Sequence, residues 1–365
     1  MFIIAGKIIA FRLFNVGETI DLNLAARILE SHHQQAAFTI GPKHRSMLIV
    51  EHPLSFTFDS FAVEIRGRSY QITPTAKIWS FGTLSLQYAL PLEETHSILE
   101  LNYLGNFLET SESFSQQAVN FANTLLKLLT PAIEKPELWR HWEDYLVFSV
   151  QKLKLPAGVD LKTAFLTNEV ASLILTEEPM EFAPKVVARL EQYLHQYGTD
   201  DLLLLHWNGA LIYDPLDAHH LQETIEYALC QLLELRYYDQ LLENQLKFLY
   251  QKIENRKQTI FSNIFGELAR QAALEYIDIS VIVDQVENAF KVTGDFYFAS
   301  IFKAAARELQ IPEWRKSVSA KLNNLAEISK IFQGEINERR SQIMEIIIIL
   351  LITAELISTI QKIWN

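Results

Sequence analysis

The sequence contains little cysteine, and its glycines are few and scattered. Cys230 is the single cysteine among 365 residues, which excludes an intramolecular disulfide framework and any multi-cysteine zinc site. The 12 glycines are dispersed, so the chain has no glycine-rich loop of the kind that cradles a phosphate. The sequence also contains no His-Glu-x-x-His, nucleophile-elbow or Cys-x-x-Cys motif. We therefore predict that the protein is not an enzyme and that it uses no cofactor.

The chain also lacks an extended basic region. Its formal net charge is −12, and its longest basic groups are the Lys152/Lys154 pair and the Arg339-Arg340 doublet. Because affinity for nucleic acid depends on contacts of lysine and arginine with phosphate, we expect no direct nucleic-acid binding. The apolar N-terminus has no basic segment ahead of it and is soon interrupted by charged residues. This pattern predicts a first β-strand rather than a secretion signal.

Proline is almost confined to one part of the chain. Ten of the 11 prolines lie at or before Pro215, and the exception is Pro312. This shift separates a mixed, turn-rich region from a helical one, and the predicted fold class is α+β. The predicted parts are an N-terminal α/β domain (1–110), a second α/β unit (111–213), a long helical hairpin or coiled coil (214–342) and a C-terminal transmembrane helix (343–363).

Apolar runs and turn signals predict the elements of the mixed region. The run over 2–14 predicts a buried strand, and Asp21 can cap the helix that follows it. Asn208-Gly209 lies between two apolar runs, which is the strongest short-range signal of a β-hairpin. Further strands are predicted over 46–51, 54–58, 61–66, 76–90 and 145–154, and further helices over 114–129 and 186–197.

Two apolar stripes predict the helical region. The first begins after Asp217, a candidate cap, and the second begins near Pro312, which suits the first turn of a helix. Cys230 falls on the first helix, where a packed thiol is expected. The simplest assembly is a pair of long antiparallel helices with a helical insert between them. The first stripe comprises Leu221, Ile225, Ala228, Leu232, Leu235, Leu242, Leu246, Leu249 and Ile253, and the second comprises Trp314, Val318, Leu322, Leu325, Ile328, Phe332, Ile336 and Ile343.

The most apolar stretch of the chain is its C-terminal segment. Residues 343–363 form a window of 21 residues, which is long enough to cross a bilayer as a helix. Eleven isoleucine or leucine residues between 343 and 360 favour insertion by roughly 3–7 kcal/mol in total. Glu355, near mid-depth, opposes insertion by roughly 2.5–3.5 kcal/mol, whereas Glu345 would lie near the interface. The balance predicts a transmembrane helix that binds the lipid bilayer.

The residues around this segment predict its orientation. Arg339 and Arg340 precede it, Lys362 follows it, and Trp364 is placed as an interfacial aromatic residue. We therefore expect a bacterial inner membrane or organellar inner membrane, with the N-terminal body on the cytoplasmic or matrix side. The alternative is a buried helix in a soluble oligomer, which explains the two glutamates of the segment more easily.

Glu355 leaves further alternatives open. A carboxyl group at this depth requires a partner or a proton, so the helix is expected to self-associate or to be protonated there. A proton relay or channel built on Glu355 is the sharper alternative, and it requires several spans in each complex.

A histidine-rich group at the start of the first long helix is the best metal-like cluster. His219 and Glu223 are four residues apart and share a helical face, with His220 and Asp217 beside them. Two ligands at this spacing are common by chance, and the N-terminus of a helix attracts acidic residues in any case. We therefore predict no metal site.

An aromatic and acidic segment precedes the strand predicted over 145–154. It could line a pocket, although packing of core and surface residues before a strand explains it equally well. An enzyme with a nonstandard site would require a pocket with clustered titratable groups, for instance near His141 or His206. The segment comprises Trp139, His141, Trp142, Glu143 and Asp144.

The order of the C-terminal elements resembles a known family. A hairpin with an aromatic-Asn-Gly-apolar core at 206–213 is followed by a long helix at 217–256 and by a polar helix that enters an acidic and apolar segment at 337–355. Over roughly 140–365 the chain resembles the "required for meiotic nuclear division" family, and the resemblance is silent about the first 110 residues. It implies a membrane-anchored, self-assembling protein that faces the cytoplasm or matrix and has no established catalytic residues.

These observations predict a membrane-anchored, self-associating scaffold or tether. The apolar segment would anchor it, the long helices would form a homo-oligomer, and the α/β domains would hold a protein partner. An enzyme with a nonstandard pocket and a small proton-coupled membrane assembly are the alternatives.

Overall fold

The computed structural model describes the chain in seven stretches, which form two compact units. The first unit consists of Met1–Tyr237 and Val283–Trp314, and the second consists of Tyr238–Ile282 and Arg315–Asn365. The strand predicted over 46–51 and the candidate cap Asp217 lie outside the described residues. The described residues are 1–31, 53–92, 94–176, 180–216, 219–254, 264–289 and 296–364.

All described strands lie in the first unit, whereas the helices occur in both units. The strands are β1 Phe2–Asn15, β2 Thr19–Ile20, β3 Leu54–Thr57, β4 Phe61–Ile65, β5 Arg68–Ile78, β6 Thr83–Leu92, β7 His96–Ser97, β8 Ile133–Glu134, β9 Trp142–Lys154, β10 Leu194–His195, β11 Leu202–Leu205 and β12 Gly209–Tyr213. The α-helices are α1 Leu22–Ser31, α2 Ile98–Thr110, α3 Glu112–Leu129, α4 Leu161–Phe165, α5 Asn168–Leu175, α6 Pro184–Arg189, α7 His219–Glu254, α8 Ile264–Ala289, α9 Phe296–Glu308 and α10 Ile311–Trp364.

Ten of these strands form one mixed sheet, in the order β10-β11-β12-β9-β1-β6-β5-β3, with β4 beside β5 and β7 beside β1. β1 is antiparallel to both β6 and β9, whereas β12 is parallel to β9. The continuous apolar run of β1 suits a strand that is buried on both faces. The strand predicted over 2–14 is therefore confirmed. Strands from the ranges 1–110 and 111–213 therefore share one sheet, and the boundary predicted between these ranges lies inside the first unit.

One face of the sheet packs closely against α2. Gly105 of α2 lies over Phe148 of β9, where a Cβ atom would be 2.6 Å from Phe148 Cζ, so a larger residue would displace the ring. This close approach brings α2 against the middle of the sheet. Apolar side chains from β1, β6, β9 and α2 form the surrounding core, including Ile8, Ala10, Leu84, Leu86, Leu146, Leu101 and Leu104.

Several local predictions are confirmed. The hairpin predicted at Asn208-Gly209 joins β11 to β12, and His206 N donates to Gly209 O across the turn at 3.0 Å. Asp21 caps α1, because its Oδ1 accepts from Leu24 N at 3.0 Å. These signals are local, and tertiary packing leaves them unchanged.

Two predicted elements differ in extent. The strand predicted over 76–90 is two antiparallel strands, β5 and β6, because the chain turns at Gly82 with a φ of +91°. The helix predicted over 186–197 shortens to α6 and a 3-10 turn before the chain enters β10 and pairs with β11. Pairing with an existing strand outweighs weak local helix propensity. No prediction covers α2, although Ser97 and Glu100 form a capping box at its start.

In the second unit, the two longest helices run in the same direction. Ser317 Oγ of α10 donates to Asp239 Oδ1 of α7 at 2.6 Å. One turn further along both helices, Lys321 Nζ lies 3.2 Å from Glu243 Oε2. Contacts that advance together along two helices require parallel directions. The antiparallel pairing predicted for these two helices is therefore wrong.

The returning helix of the second unit is α8. Ser329 Oγ of α10 donates to Ala269 O of α8 at 3.2 Å, and Phe332 packs on Phe265 with ring centroids 5.7 Å apart. Residue numbers rise along α10 as they fall along α8, so these two helices are antiparallel. The helical hairpin of the predicted fold is thus the reversal between α7 and α8.

The two predicted apolar stripes are largely buried within the chain itself, although Ile343 at the end of the second stripe is exposed. The described members from Leu221 to Leu249 are buried along α7, as are those from Val318 to Phe332 along α10. The thiol of Cys230 is also fully buried, as expected for a packed cysteine. Both stripes build the protein's own core, and coiled-coil pairing between copies stays a prediction.

Candidate functional site

The C-terminal half of α10 is apolar and exposed. Phe332 is 1% exposed, whereas every described side chain from 341 to 359 is exposed, Glu345 and Glu355 included. Among the described residues, α10 is the one helix long and apolar enough to span a membrane, and none of its most apolar 18-residue window is buried. The structure thus places both acidic residues predicted for the membrane segment on the exposed part of α10, where no other described element packs against the helix.

Two of the three predicted interfacial anchors, Arg339 and Arg340, precede this exposed stretch. Arg339 is partly buried, with its guanidinium carbon 4.6 Å from the centroid of the Phe265 ring of α8. Arg340 is exposed. The side chain of Trp364, the third predicted anchor, lies outside the described residues. The two arginines therefore mark the level at which α10 stops packing against α8.

The histidine group at the start of α7 surrounds the carboxyl group of Glu223. His219 Nε2 lies 3.3 Å and Lys77 Nζ lies 3.7 Å from Glu223 Oε1, while His220 Nδ1 lies 3.8 Å from Glu223 Oε2. Although burial opposes ionisation, the hydrogen bond from His219 and the charge of Lys77 lower the pKa of Glu223 to about 2. Within the described parts of the chain, no three His, Cys, Asp or Glu residues are grouped so that they could hold a metal ion.

A layer of buried polar groups joins α7 to the sheet. Lys77 Nζ of β5 lies 2.7 Å from Glu226 Oε2, and Ser85 Oγ of β6 donates to Glu226 Oε1 at 2.6 Å. Two turns further along α7, the Glu234 carboxyl group accepts from Asn15 Nδ2 and from Thr83 Oγ1. Burial raises the pKa of Glu234 to about 8. This carboxyl group is therefore largely protonated at neutral pH.

A second polar group in the first unit surrounds a cavity of about 350 Å³, which we call the acidic cavity. It lies where the end of α2, the start of β9, the β11–β12 turn, α7 and the α9–α10 junction meet. Its wall combines four carboxyl groups with an arginine and two indoles. The lining residues are Glu109, Glu143, Asp144, Tyr145, Trp207, Asn208, Leu229, Leu232, Arg236, Glu308, Leu309, Gln310 and Trp314.

Two carboxyl groups of the acidic cavity titrate near neutral pH. Burial, assisted by the charge of Asp144, raises the pKa of Glu109 to about 7. Burial also raises the pKa of Glu143 to about 7, although Arg236, which donates to Glu143 Oε1, opposes this shift. Behind the cavity wall, Arg12 of β1 is buried and its Nη2 donates to the carbonyl oxygen of Leu108 at 2.7 Å. Arg12 thereby holds the C-terminal end of α2 against the sheet.

The structure brings together only part of the aromatic and acidic segment singled out in the sequence. Glu143 and Asp144 line the acidic cavity. Trp139 instead packs on Tyr237 at 5.7 Å and on His141 at 5.2 Å between ring centroids. Trp139 and His141 precede β9, whereas Glu143 and Asp144 belong to its first residues.

His206, the other histidine considered for an enzyme pocket, lies beside the cavity rather than on its wall. Its carbonyl oxygen accepts from Tyr145 Oη at 2.5 Å, and its ring packs on Tyr193 with centroids 4.9 Å apart. Burial lowers the pKa of His206 to about 4, so the imidazole is neutral at physiological pH. Its backbone fixes Tyr145 at the cavity wall.

Sequence reasoning missed the cavity residues Glu109, Arg236, Glu308 and Trp314. They come from α2, α7, α9 and α10, and no motif connects them. The polar layer beneath α7 could have been recognised in the sequence. Polar residues or cysteine recur there every four residues on a helix otherwise rich in leucine, at Gln222, Glu226, Cys230 and Glu234.

These features define an α+β protein with a central mixed sheet, an acidic cavity and an exposed apolar helix at its C-terminal end. The chain belongs to the family described as "Uncharacterized protein MJ0711, N-terminal domain", which matches residues 5–219. It is 24% identical over 197 residues to "Uncharacterized protein MJ0711" of Methanocaldococcus jannaschii. The alignment covers 54% of this chain and 60% of that relative, so the chain spans about three-fifths of the relative's length. No solved structure matches the chain.

The family match covers the sheet and the part of the acidic cavity built by α2, β9 and the β11–β12 turn. It includes the first 110 residues, about which the resemblance to the "required for meiotic nuclear division" family is silent. The match ends at the start of α7, so Arg236, Glu308 and Trp314 lie beyond it.

Proposed function

We propose that this protein is a membrane-anchored scaffold or tether that self-associates through its C-terminal helix. The observation that carries the proposal is the change in burial along α10, from Phe332, which is packed in a core, to the stretch 341–359, which is apolar and exposed throughout. Soluble proteins rarely expose a contiguous apolar surface of this size. Lipid is the environment that such a helix suits.

The dimensions of the exposed segment support a span. The 21 residues of 343–363 extend over about 31 Å as a helix, and the hydrocarbon core of a bilayer is about 30 Å thick. The apolar residues favour insertion by a free energy of roughly 3–7 kcal/mol, whereas Glu355 opposes insertion by roughly 2.5–3.5 kcal/mol. Arg339 and Arg340 on the N-terminal side favour a body that faces the cytoplasm or the matrix.

Self-association follows from the position of Glu355. A carboxyl group near the middle of a bilayer is stabilised by a hydrogen-bonding partner at the same depth, and another copy of the span supplies one. The body would then present several copies of the sheet unit to a protein partner. The resemblance over 140–365 to the "required for meiotic nuclear division" family implies the same arrangement and is part of this proposal.

Alkaline carbonate extraction of membranes from expressing cells tests the anchor. We expect the full chain to resist extraction, and both a 1–342 truncation and the full-length variant Ile348→Asp/Ile352→Asp to be released. The matched control is Ile277→Asp/Val281→Asp, which changes exposed apolar residues of α8 in the same way and should leave the protein in the membrane. Release of the unmodified chain, or retention of the truncation, would contradict the proposal.

A further inference from the structure

We propose that two copies of this chain pair through an exposed side of α8, with the two helices antiparallel. The surface, which we call the α8 face, consists of Leu274, Ile277 and Val281, which are 48%, 54% and 51% exposed, with Arg270 and Asp284 at its two ends. Its partner is the α8 face of the second copy. The pairing does not depend on membrane anchoring, because the α8 face lies outside the C-terminal segment.

The helix α8 is apolar on two opposite sides. Leu268, Ala272 and Ile279 are buried and form the side that belongs to the core of the second unit. At 3.6 residues per turn, the apolar residues of the α8 face project from the opposite side of the helix. A helix that is apolar on both sides is expected to be covered on both. Among the described residues, only the first side is covered.

The spacing of the α8 face suits packing against another helix. Leu274, Ile277 and Val281 lie three and four residues apart and form one stripe about 10 Å long. This is the repeat through which two long helices pack side by side. A stripe of this length buries a small area, so we expect the pairing to be weak in solution and to strengthen where copies are concentrated at a surface.

The charges at the ends of the α8 face determine the direction of pairing. Arg270 and Asp284 are both exposed on one continuous helix, and neither forms an ion pair with another described residue. In an antiparallel pair centred near Ile277, Arg270 of each copy lies close to Asp284 of the other copy. A parallel pair would instead bring each of these charges to its own kind. Opposite charges favour a partner and like charges oppose it, so the face is self-complementary in the antiparallel direction.

An antiparallel pair directs the two C-terminal helices away from each other. Within the second unit, α8 and α10 are antiparallel, as the contacts of Ser329 with Ala269 and of Phe332 with Phe265 require. Reversal of one α8 relative to the other therefore reverses α10 as well. Given the membrane anchor proposed above, on which this consequence rests, paired copies are anchored in two different bilayers. The α8 face then tethers one bilayer to the other.

Chemical cross-linking of cysteine variants of the full chain in detergent micelles tests the pairing. We expect Ile277→Cys to give a covalent dimer with the short cross-linker bismaleimidoethane. The matched variant Tyr276→Cys places a thiol on the next exposed residue, which lies off the α8 face, and should give at least about fivefold less dimer. The unmodified chain should give none, because Cys230 is buried. Absence of dimer from Ile277→Cys, or equal yields from the two variants, would overturn the pairing.

Charge reversal tests the antiparallel direction. In the Ile277→Cys chain, Arg270→Asp replaces two attractions with two repulsions and should lower the yield of dimer about three- to tenfold. The double change Arg270→Asp/Asp284→Arg restores opposite charges across an antiparallel pair and should restore the yield. Both residues are exposed, and circular dichroism establishes that the variants fold. A double variant that stays as low as Arg270→Asp would overturn the antiparallel direction.

Phosphatidylcholine vesicles that carry the full chain test the tether. We expect the unmodified chain to float with the vesicles in a density gradient and to cluster them, as measured by dynamic light scattering. Ile277→Asp/Val281→Asp should float equally but leave the vesicles dispersed. Flotation of the unmodified chain without clustering would overturn the tether between bilayers. Failure to float would instead contradict the proposed anchor, and the cross-linking in micelles alone would then decide the pairing.

Discussion

The interface between α7 and the sheet buries charged groups, whereas the end of α10 exposes isoleucines. Lys77 and Glu226 are both buried in the first region, and Glu234 is 0% exposed there. In the second region, Ile347 and Leu351 are about half exposed or more, like the rest of 341–359. The two regions depart in opposite directions from the usual distribution of polar and apolar residues.

The difference lies in where each region finds its partners. The buried Lys77 and Glu226 of the first region pair within the chain, with 2.7 Å between Lys77 Nζ and Glu226 Oε2. The exposed isoleucines of the second region have no covering element among the described residues, because none of 341–359 is buried. The first region is complete within the chain, and we propose that the second is completed by lipid and by other copies of the helix.

Lys77→Met should give the largest change, because it leaves the buried Glu226 without its cation. We expect the free energy of unfolding to fall by about 3–5 kcal/mol. Urea unfolding of the full chain in micelles, followed by tryptophan fluorescence, measures this loss. The double variant Lys77→Met/Glu226→Leu removes both charges and should recover most of the stability. A loss below about 1 kcal/mol in the single variant would show that the pair is not an essential part of this interface.

Glu234→Gln should stabilise the protein in a pH-dependent way. The pKa of Glu234 is raised from 4.5 to about 8 by folding, so the acid costs stability as the pH rises from about 4.5 to about 8. Glutamine removes this cost, and its Oε1 can still accept from Thr83 Oγ1. We expect little difference near pH 4.5 and a gain on the order of 2–4 kcal/mol near pH 8.

Urea unfolding at both pH values measures the Glu234→Gln effect. The control Glu64→Gln, on an exposed part of β4, should show no comparable pH dependence. A gain of equal size at both pH values would mean that ionisation of Glu234 is not its cause.

Glu355→Gln should give the smallest change, and it tests the exposed region. Replacing the acid by a neutral amide lowers the cost of insertion by up to about 2 kcal/mol, so membrane retention should stay intact or increase. Carbonate extraction across a range of pH measures retention. Loss of anchoring would instead reveal a specific contact of the Glu355 carboxyl group.

Elements with strong local signals could be predicted from the sequence. β1, the cap at Asp21 and the hairpin at Asn208-Gly209 follow from apolar periodicity and turn chemistry, which act over a few residues. The shortened helix after Pro184 could not be predicted, because pairing of β10 with β11 overrides the local preference. The parallel course of α7 and α10 depends on where α8 returns, which no local pattern encodes.

The residues of the candidate sites also fall into those that could be predicted from the sequence and those that could not. Glu345 and Glu355 could be placed on an apolar helix because neighbours along a helix are set by its 3.6-residue period. Glu143 and Asp144 could be recognised as candidates for a pocket, but Glu109, Arg236 and Glu308 could not. Their positions differ by up to about 200 residues along the chain, and only the path of the sheet and helices brings them to one cavity.

The sequence by itself therefore determined the α+β class, the helical C-terminal half and the apolar segment at its end. These properties depend on composition and short-range periodicity, which survive any arrangement of the elements. Only the tertiary structure decided that one sheet joins the two predicted α/β parts, that most of the apolar stripes of α7 and α10 is buried within the chain, and that four carboxyl groups share a cavity. Contacts between distant residues depend on how all the elements pack together. The free energy of that packing is a property of the whole fold, so it cannot be deduced from any one segment of the sequence.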